Sequence, residues 1–219
     1  MNILLKTFSL VIDAIFPQTC GGCGKRGTLL CEKCQVSIPA ASRPSEAFIT
    51  AIFDYQNPAI RSVIWKFKYK NARAAANYFG ERLYEEIVAE LADGLHISKN
   101  ETFLLVPIPL HKKRLRERGY NQSELLVREI LKHDAGKIFQ SEPKALIRAR
   151  ETNAQAKKEK RAARFENLRG AFSAVPALVR DKNIILVDDV TTTGATLTEA
   201  RKALLKAGAR TVRAHTVAH

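Results

Sequence analysis

The stretch that most limits how this chain can fold is Asn183-Ile184-Ile185-Leu186-Val187-Asp188-Asp189-Val190-Thr191-Thr192-Thr193-Gly194-Ala195-Thr196. Its first half is an unbroken aliphatic run, as required of a strand covered on both faces. Leu197, Ala200, Leu204 and Ala207 follow at helical spacing, and Gly208 closes the helix. A strand, a turn of small residues and a helix N-terminus aim unpaired backbone N–H groups and the positive end of the helix dipole at an anion. Gly194 lets the backbone approach a phosphate closely, and the threonines add hydroxyl donors. Two carboxylates beside such a turn would repel a bare phosphate. They suit a phosphorylated sugar, whose two ribose hydroxyls they accept while the turn holds the 5-phosphate, and they offset the charge of an accompanying Mg²⁺. No Gly-x-x-x-x-Gly-Lys-Ser/Thr motif occurs anywhere in the chain, which excludes a P-loop nucleotide-triphosphatase.

Upstream, apolar runs alternate with helical patterns. Strands are expected over 47–55, 103–108, 184–187 and 211–217. Helices are expected over 72–91, 123–132 and 196–207, with Ala75, Phe79, Leu83, Ile87 and Leu91 on one face of the first. Strands separated by helices of this length imply an α/β fold, a parallel sheet flanked by helices with right-handed crossovers. The apolar run ending in Val106-Pro107-Ile108-Pro109-Leu110-His111 leads into a basic stretch containing Lys112, Arg114 and Arg118, then Gly119-Tyr120-Asn121-Gln122. In a doubly wound sheet, ligands sit beyond the carboxyl ends of the strands, so this stretch and the threonine turn can face one cleft. There the basic side chains would neutralise a pyrophosphate; alternatively they form a solvated charge run or a nucleic-acid patch. His111 reads as a polar loop residue, and Asn121 and Gln122 as either a helix cap or ligand contacts. The polar, highly charged segment 148–169, with Arg148 and Arg150, has the character of a lid or binding loop.

Cys20-x-x-Cys23 and Cys31-x-x-Cys34 stand close together at the start of the chain. Such pairs suit four thiolates around Zn²⁺, and metal binding would supply the folding energy that a module as small as 17–39 cannot draw from a core. Disulfides are the alternative, disfavoured in a reducing cytoplasm. Residues 1–16 form an amphipathic pattern too short and too interrupted by Lys6 and Asp13 to span a bilayer or to serve as an export signal. A cytoplasmic location is therefore expected, with peripheral contact at the inner face of the membrane left open. Residues 37–45 read as a linker, and 46–219 as the main domain. A net charge of +14 favours polyanionic partners. The run Trp65-Lys66-Phe67-Lys68-Tyr69-Lys70 suits single-stranded nucleic acid, or else an amphipathic strand or helix with solvated lysines.

The strand with its acid pair and threonine turn resembles the type I phosphoribosyltransferases. That resemblance implies that Asp188 and Asp189 hold the ribose hydroxyls of 5-phosphoribosyl-1-pyrophosphate (PRPP), with Thr191, Thr192, Thr193, Gly194, Ala195 and Thr196 around its 5-phosphate. Val106–His111, Arg118–Gln122, the Arg148-x-Arg150-x-Thr152-x-x-Gln155 stretch, Asn167 with Gly170-Ala171-Phe172, and the cysteine module together resemble the ComF family. This second resemblance implies a type I phosphoribosyltransferase fold with a small N-terminal zinc ribbon built on the four cysteines. It further implies PRPP with Mg²⁺ in the cleft, and a role in natural transformation that handles single-stranded DNA beside a helicase-like ATPase. The alternative is an active phosphoribosyltransferase of nucleotide metabolism with no DNA role, in which Arg148 and Arg150 would act from the lid.

Overall fold

A computed structural model describes residues 18–39, 41, 44, 46–70, 72–94, 101–148 and 168–219. The expected helix over 1–16, Arg150 and all but the ends of the segment 148–169 lie outside those residues. Within them the chain forms α1 (Glu32–Val36), β1 (Ile49–Phe53), α2 (Pro58–Tyr69), α3 (Ala72–Gly94), β2 (Phe103–Pro107) and α4 (Lys112–Arg118). It continues through α5 (Gln122–His133), β3 (Phe139–Ser141), β4 (Leu146–Arg148), β5 (Phe172–Ala174), α6 (Pro176–Val179), β6 (Asn183–Val190), α7 (Ala195–Lys206) and β7 (Thr211–Ala218).

Five strands make one parallel sheet in the order β1-β7-β6-β2-β3, while β4 and β5 pair antiparallel as a separate ribbon. Alternation along each strand divides the core in two. Leu105, Ile185, Val187 and Val217 pack with helices α2, α3 and α5 on one face. Leu104, Val106, Ile184, Leu186 and Ala214 pack with α7 and the β4–β5 ribbon on the other. Ala75, Phe79, Leu83, Ile87 and Leu91 are all buried, as the sequence spacing of α3 requires.

The connection leaving β2 carries the chain through α5 to β3, on one side of the sheet's middle. The connection leaving β6 carries it through α7 to β7, on the other. The neighbouring ends of β2 and β6 therefore diverge and leave a crevice, the place where doubly wound sheets bind ligands. β6 runs farther than the aliphatic pattern indicated, because Asp188 and Val190 still pair with Thr216 and Ala218 of β7. The acid pair thus sits on the sheet itself and not on the loop beyond it.

One local structure differs from the expected loop, and the run from Trp65 to Tyr69, left open between strand and helix, is helical. The basic stretch after Leu110 folds as the helix α4, because Nδ1 of His111 accepts the Lys113 N–H at 3.2 Å and caps it. Helix α2 starts where Asn57 Oδ1 accepts the N–H groups of Ala59 and Ile60 at 3.0 and 3.3 Å, with Pro58 at the first helical position. Among the described residues, no helix is long and apolar enough to cross a membrane.

Candidate functional site

A cleft of about 1330 Å³ opens over the diverging ends of β2 and β6. Asp188 and Asp189 line it, together with the whole turn from Thr191 to Thr196. The turn is anchored on one side by the Thr191 N–H donating to the Ala218 carbonyl at 3.0 Å. Gly194 ends it with φ of +73°, a left-handed conformation that β-carbon-bearing residues rarely adopt. An added Cβ there would also stand 3.1 Å from Ile49 Cδ1 and 3.2 Å from Glu46 Cγ. Glycine is therefore needed for conformation and for space, and it places the first N–H groups of α7 at the cleft floor.

Asp188 Oδ1 accepts the Ser123 hydroxyl at 3.0 Å and the Asp189 N–H at 2.9 Å. Burial, and next the neighbouring Asp189 charge, push the Asp188 carboxyl up to about 7, against the lowering pull of those two hydrogen bonds and of Lys68. Asp189 forms an ion pair with Lys68 of α2 at 3.0 Å and accepts the Val190 N–H at 2.7 Å. The two aspartates thus have different neighbours, and both still border open space.

Arg114 and Arg118 of α4 and Arg148 of β4 reach the same cleft from separate elements. Arg148 stacks over Phe172 at 5.4 Å, and burial followed by the charge of Arg114 disfavours its protonated form while Asp188 supports it. Arg118 donates to Gln122 Oε1 at 2.9 Å and lies 5.5 Å above the Tyr69 ring. Lys112 is not among the residues that line the cleft. Asn121 is a structural cap: its Oδ1 accepts the Ser123 N–H, and its Nδ2 donates to the Ile108 carbonyl, both at 3.1 Å. Gln122 is buried beside it. Five lysine and arginine side chains against three carboxylates line the cleft, so an anion is favoured within it.

The sequence patterns did not single out Lys68 as the partner of the acid pair, nor Arg61, Trp65 and Tyr69 as its wall. They all belong to α2, whose start was signalled by Asn57-Pro58.

The four sulfurs of Cys20, Cys23, Cys31 and Cys34 lie within 4.8 Å of one another, close enough to hold one metal ion. Burial opposes ionisation of Cys20, yet N–H groups including those of Gly22 and Cys31, each 3.4 Å from its sulfur, bring the thiol down to about 6. A thiolate already held by backbone donors is the ligand form that metals require. Cys20, Leu29 and Leu30 pack in the same apolar cluster as Ala59 and Val63 of α2.

Residues 126–219 match the phosphoribosyl transferase domain family. Over 202 residues the chain is 30% identical to the DNA utilization protein YhgH of Salmonella typhimurium, a match covering 91% of this chain and 81% of that protein. Over 190 residues it is 30% identical to the competence protein ComFC of Bacillus subtilis, covering 82% and 71% respectively. Among solved structures, the glutamine PRPP amidotransferase of B. subtilis complexed with ADP and GMP aligns at 18% identity with a TM-score of 0.39. That alignment covers 69% of this chain and 30% of the amidotransferase, so the chain spans less than a third of its length.

Proposed function

The chain belongs to the ComF family, that of ComFC and YhgH, and from that premise we propose that it binds PRPP in the cleft over β2 and β6 and handles single-stranded DNA during uptake. The observation that carries this reading is the convergence of three separate segments on one crevice. β6 brings a carboxylate pair joined to a threonine–glycine turn, α4 brings Arg114 and Arg118, and β4 brings Arg148. The turn from Thr191 to Thr196 would take the 5-phosphate through backbone and hydroxyl donors, and Asp188 and Asp189 would accept from the ribose hydroxyls. The arginines would face the pyrophosphate. Mg²⁺ bound with PRPP would neutralise part of the pyrophosphate charge.

Four cysteine sulfurs within 4.8 Å of one another are the donor set that would suit a structural Zn²⁺. The formal charge of +14 supports sequence-independent binding of a single strand. A protein that receives a strand as it enters the cell would work beside a helicase-like ATPase at the inner face of the membrane, in peripheral contact with it.

Calorimetric titration of the full chain with PRPP and Mg²⁺ tests the cleft. Saturable binding is expected, weakened at least about tenfold when Asp188→Asn and Asp189→Asn are combined, because a ribose hydroxyl then loses its charged acceptor. No binding by the unaltered protein, or equal binding by the double variant, would remove the phosphoribosyl reading.

A further inference from the structure

Helix α2 divides its side chains between two duties. Ala59, Ile60, Val63, Ile64 and Phe67 are buried in the core. Arg61, Ser62, Trp65, Lys68 and Tyr69 form the opposite stripe, which lines the cleft. Trp65 is 50% exposed and Tyr69 59%, unusual for rings that gain so much by burial. The two rings lie 5.9 Å apart at 48°. Each is accompanied by a cation, with Lys70 Nζ 5.2 Å from the Trp65 ring centre and Arg118 at 5.5 Å from that of Tyr69. Lys68 lies between them in sequence and reaches Asp189 at 3.0 Å, which fixes the aromatic pair on the wall next to the phosphate turn.

PRPP carries no aromatic ring, so its recognition does not call for a stacked pair of exposed aromatic side chains. The volume of the cleft, about 1330 Å³, also exceeds the 300–1,000 Å³ or so typical of small-molecule sites. Exposed aromatic rings interleaved with cations are the arrangement on which successive nucleobases stack while the backbone phosphates are neutralised. An acidic peptide would satisfy the cations but leave the rings in water.

We propose that Trp65 and Tyr69 form a base-stacking wall that brings single-stranded DNA into the same cleft as PRPP, in place of a separate surface elsewhere on the basic exterior. The proposal rests on the DNA-handling role above and adds where the strand lies. Lys68 and Arg118 then border both ligands.

Trp65 is the chain's single tryptophan, so emission excited selectively at tryptophan, beyond the absorption of the five tyrosines, reports this wall. The full protein is titrated with an oligothymidylate of about twelve nucleotides at low salt. Saturable quenching is expected. Anisotropy of a labelled copy of the same oligonucleotide, a readout independent of tryptophan, should show binding about tenfold weaker for the Trp65→Ala/Tyr69→Ala pair. Trp65→Phe, which keeps a stacking ring, should stay within about threefold of the unaltered protein. The proposal is overturned if the labelled strand binds without any change in Trp65 emission, or if the alanine pair binds as well as the original. It is likewise overturned if the strand does not bind, or if polyglutamate quenches equally. The first two outcomes leave the PRPP titration untouched, whereas failure of that titration alongside intact quenching would sink the phosphoribosyl reading and leave the wall standing.

Discussion

Asp188 is kept where an ionised carboxylate is costly. Burial first, and Asp189 second, raise it from 3.8 to about 7. An acid whose folded value exceeds its unfolded one binds more protons in the native state, so stability falls as pH rises from about 4 to about 7 and stays at the lower level above that. Asp188→Asn removes the charge yet keeps an oxygen for the Ser123 hydroxyl and the Asp189 N–H. The variant should therefore be more stable than the original at pH 8, by about 1–2 kcal/mol in urea titration, with a smaller gap at pH 5. That range is below the full conversion of the shift because the cleft admits water. PRPP affinity should fall in the same protein, which is the signature of a residue retained for function at the expense of stability. Loss of stability at pH 8 would instead make Asp188 a structural acceptor. The acid pair was legible from its neighbours in sequence, but its partner Lys68 was not. In the run from Trp65 to Lys70, six consecutive residues share one composition and have different fates. Phe67 enters the core, Lys66 bonds Thr19, Lys68 pairs with Asp189, and Lys70 lies by Trp65. Composition does not reveal which residue goes where until the helix is laid against its neighbours.

At the scale of elements, α3 and α5 approach each other so closely that side-chain propensity gives the wrong sign. Replacing a glycine inside a helix with alanine ordinarily stabilises by roughly 1 kcal/mol. A Cβ on Gly80 of α3, however, would stand 2.4 Å from Glu129 Cβ of α5, a distance that two packed helices can relieve only by moving apart. Gly80→Ala is expected to lower stability by about 1–3 kcal/mol, read as a shift in the urea midpoint with an unchanged slope. A stabilised variant would mean that α5 yields freely along this contact. Helices α3, α5 and α7 and the central strands were legible because their apolar periodicity reports burial directly. Ala75 to Leu91 repeat every four residues, and Leu105, Ile185 and Val187 pack beneath the helices on one face of the sheet. The short pieces β3, β4, β5 and α6 span only three or four residues each, fewer than a period needs to declare itself. Helix α4 was hidden for another reason: it is charged nearly all round and buries none of its residues, so only its ends, His111 and Gly119, mark it as a helix.

Across the whole molecule, the cysteine cluster and the cleft meet on the two sides of one helix. Cys20, Leu29 and Leu30 share a core with Ala59 and Val63 of α2, and Lys66 of the same helix donates to both the carbonyl and the hydroxyl of Thr19. The opposite stripe of α2 carries Lys68 to Asp189 and Trp65 to the cleft wall. The spacing of the cysteines made their shared site legible, but not this attachment, which depends on contacts more than forty residues apart. A segment with so few apolar residues of its own would draw much of its folding energy from an ion held by the four sulfurs. If it braces α2, stripping Zn²⁺ with a chelator should do more than unfold the segment. The melting temperature of the full chain should drop by at least about 5 °C, since a loss of 1 kcal/mol lowers it by roughly 2–4 °C in a protein of this size. The calorimetric affinity for PRPP should weaken several-fold, and added Zn²⁺ should restore both. A segment that is merely tethered would give another result: the main transition and the PRPP isotherm would both be unchanged after chelation, and the ion would serve the segment alone.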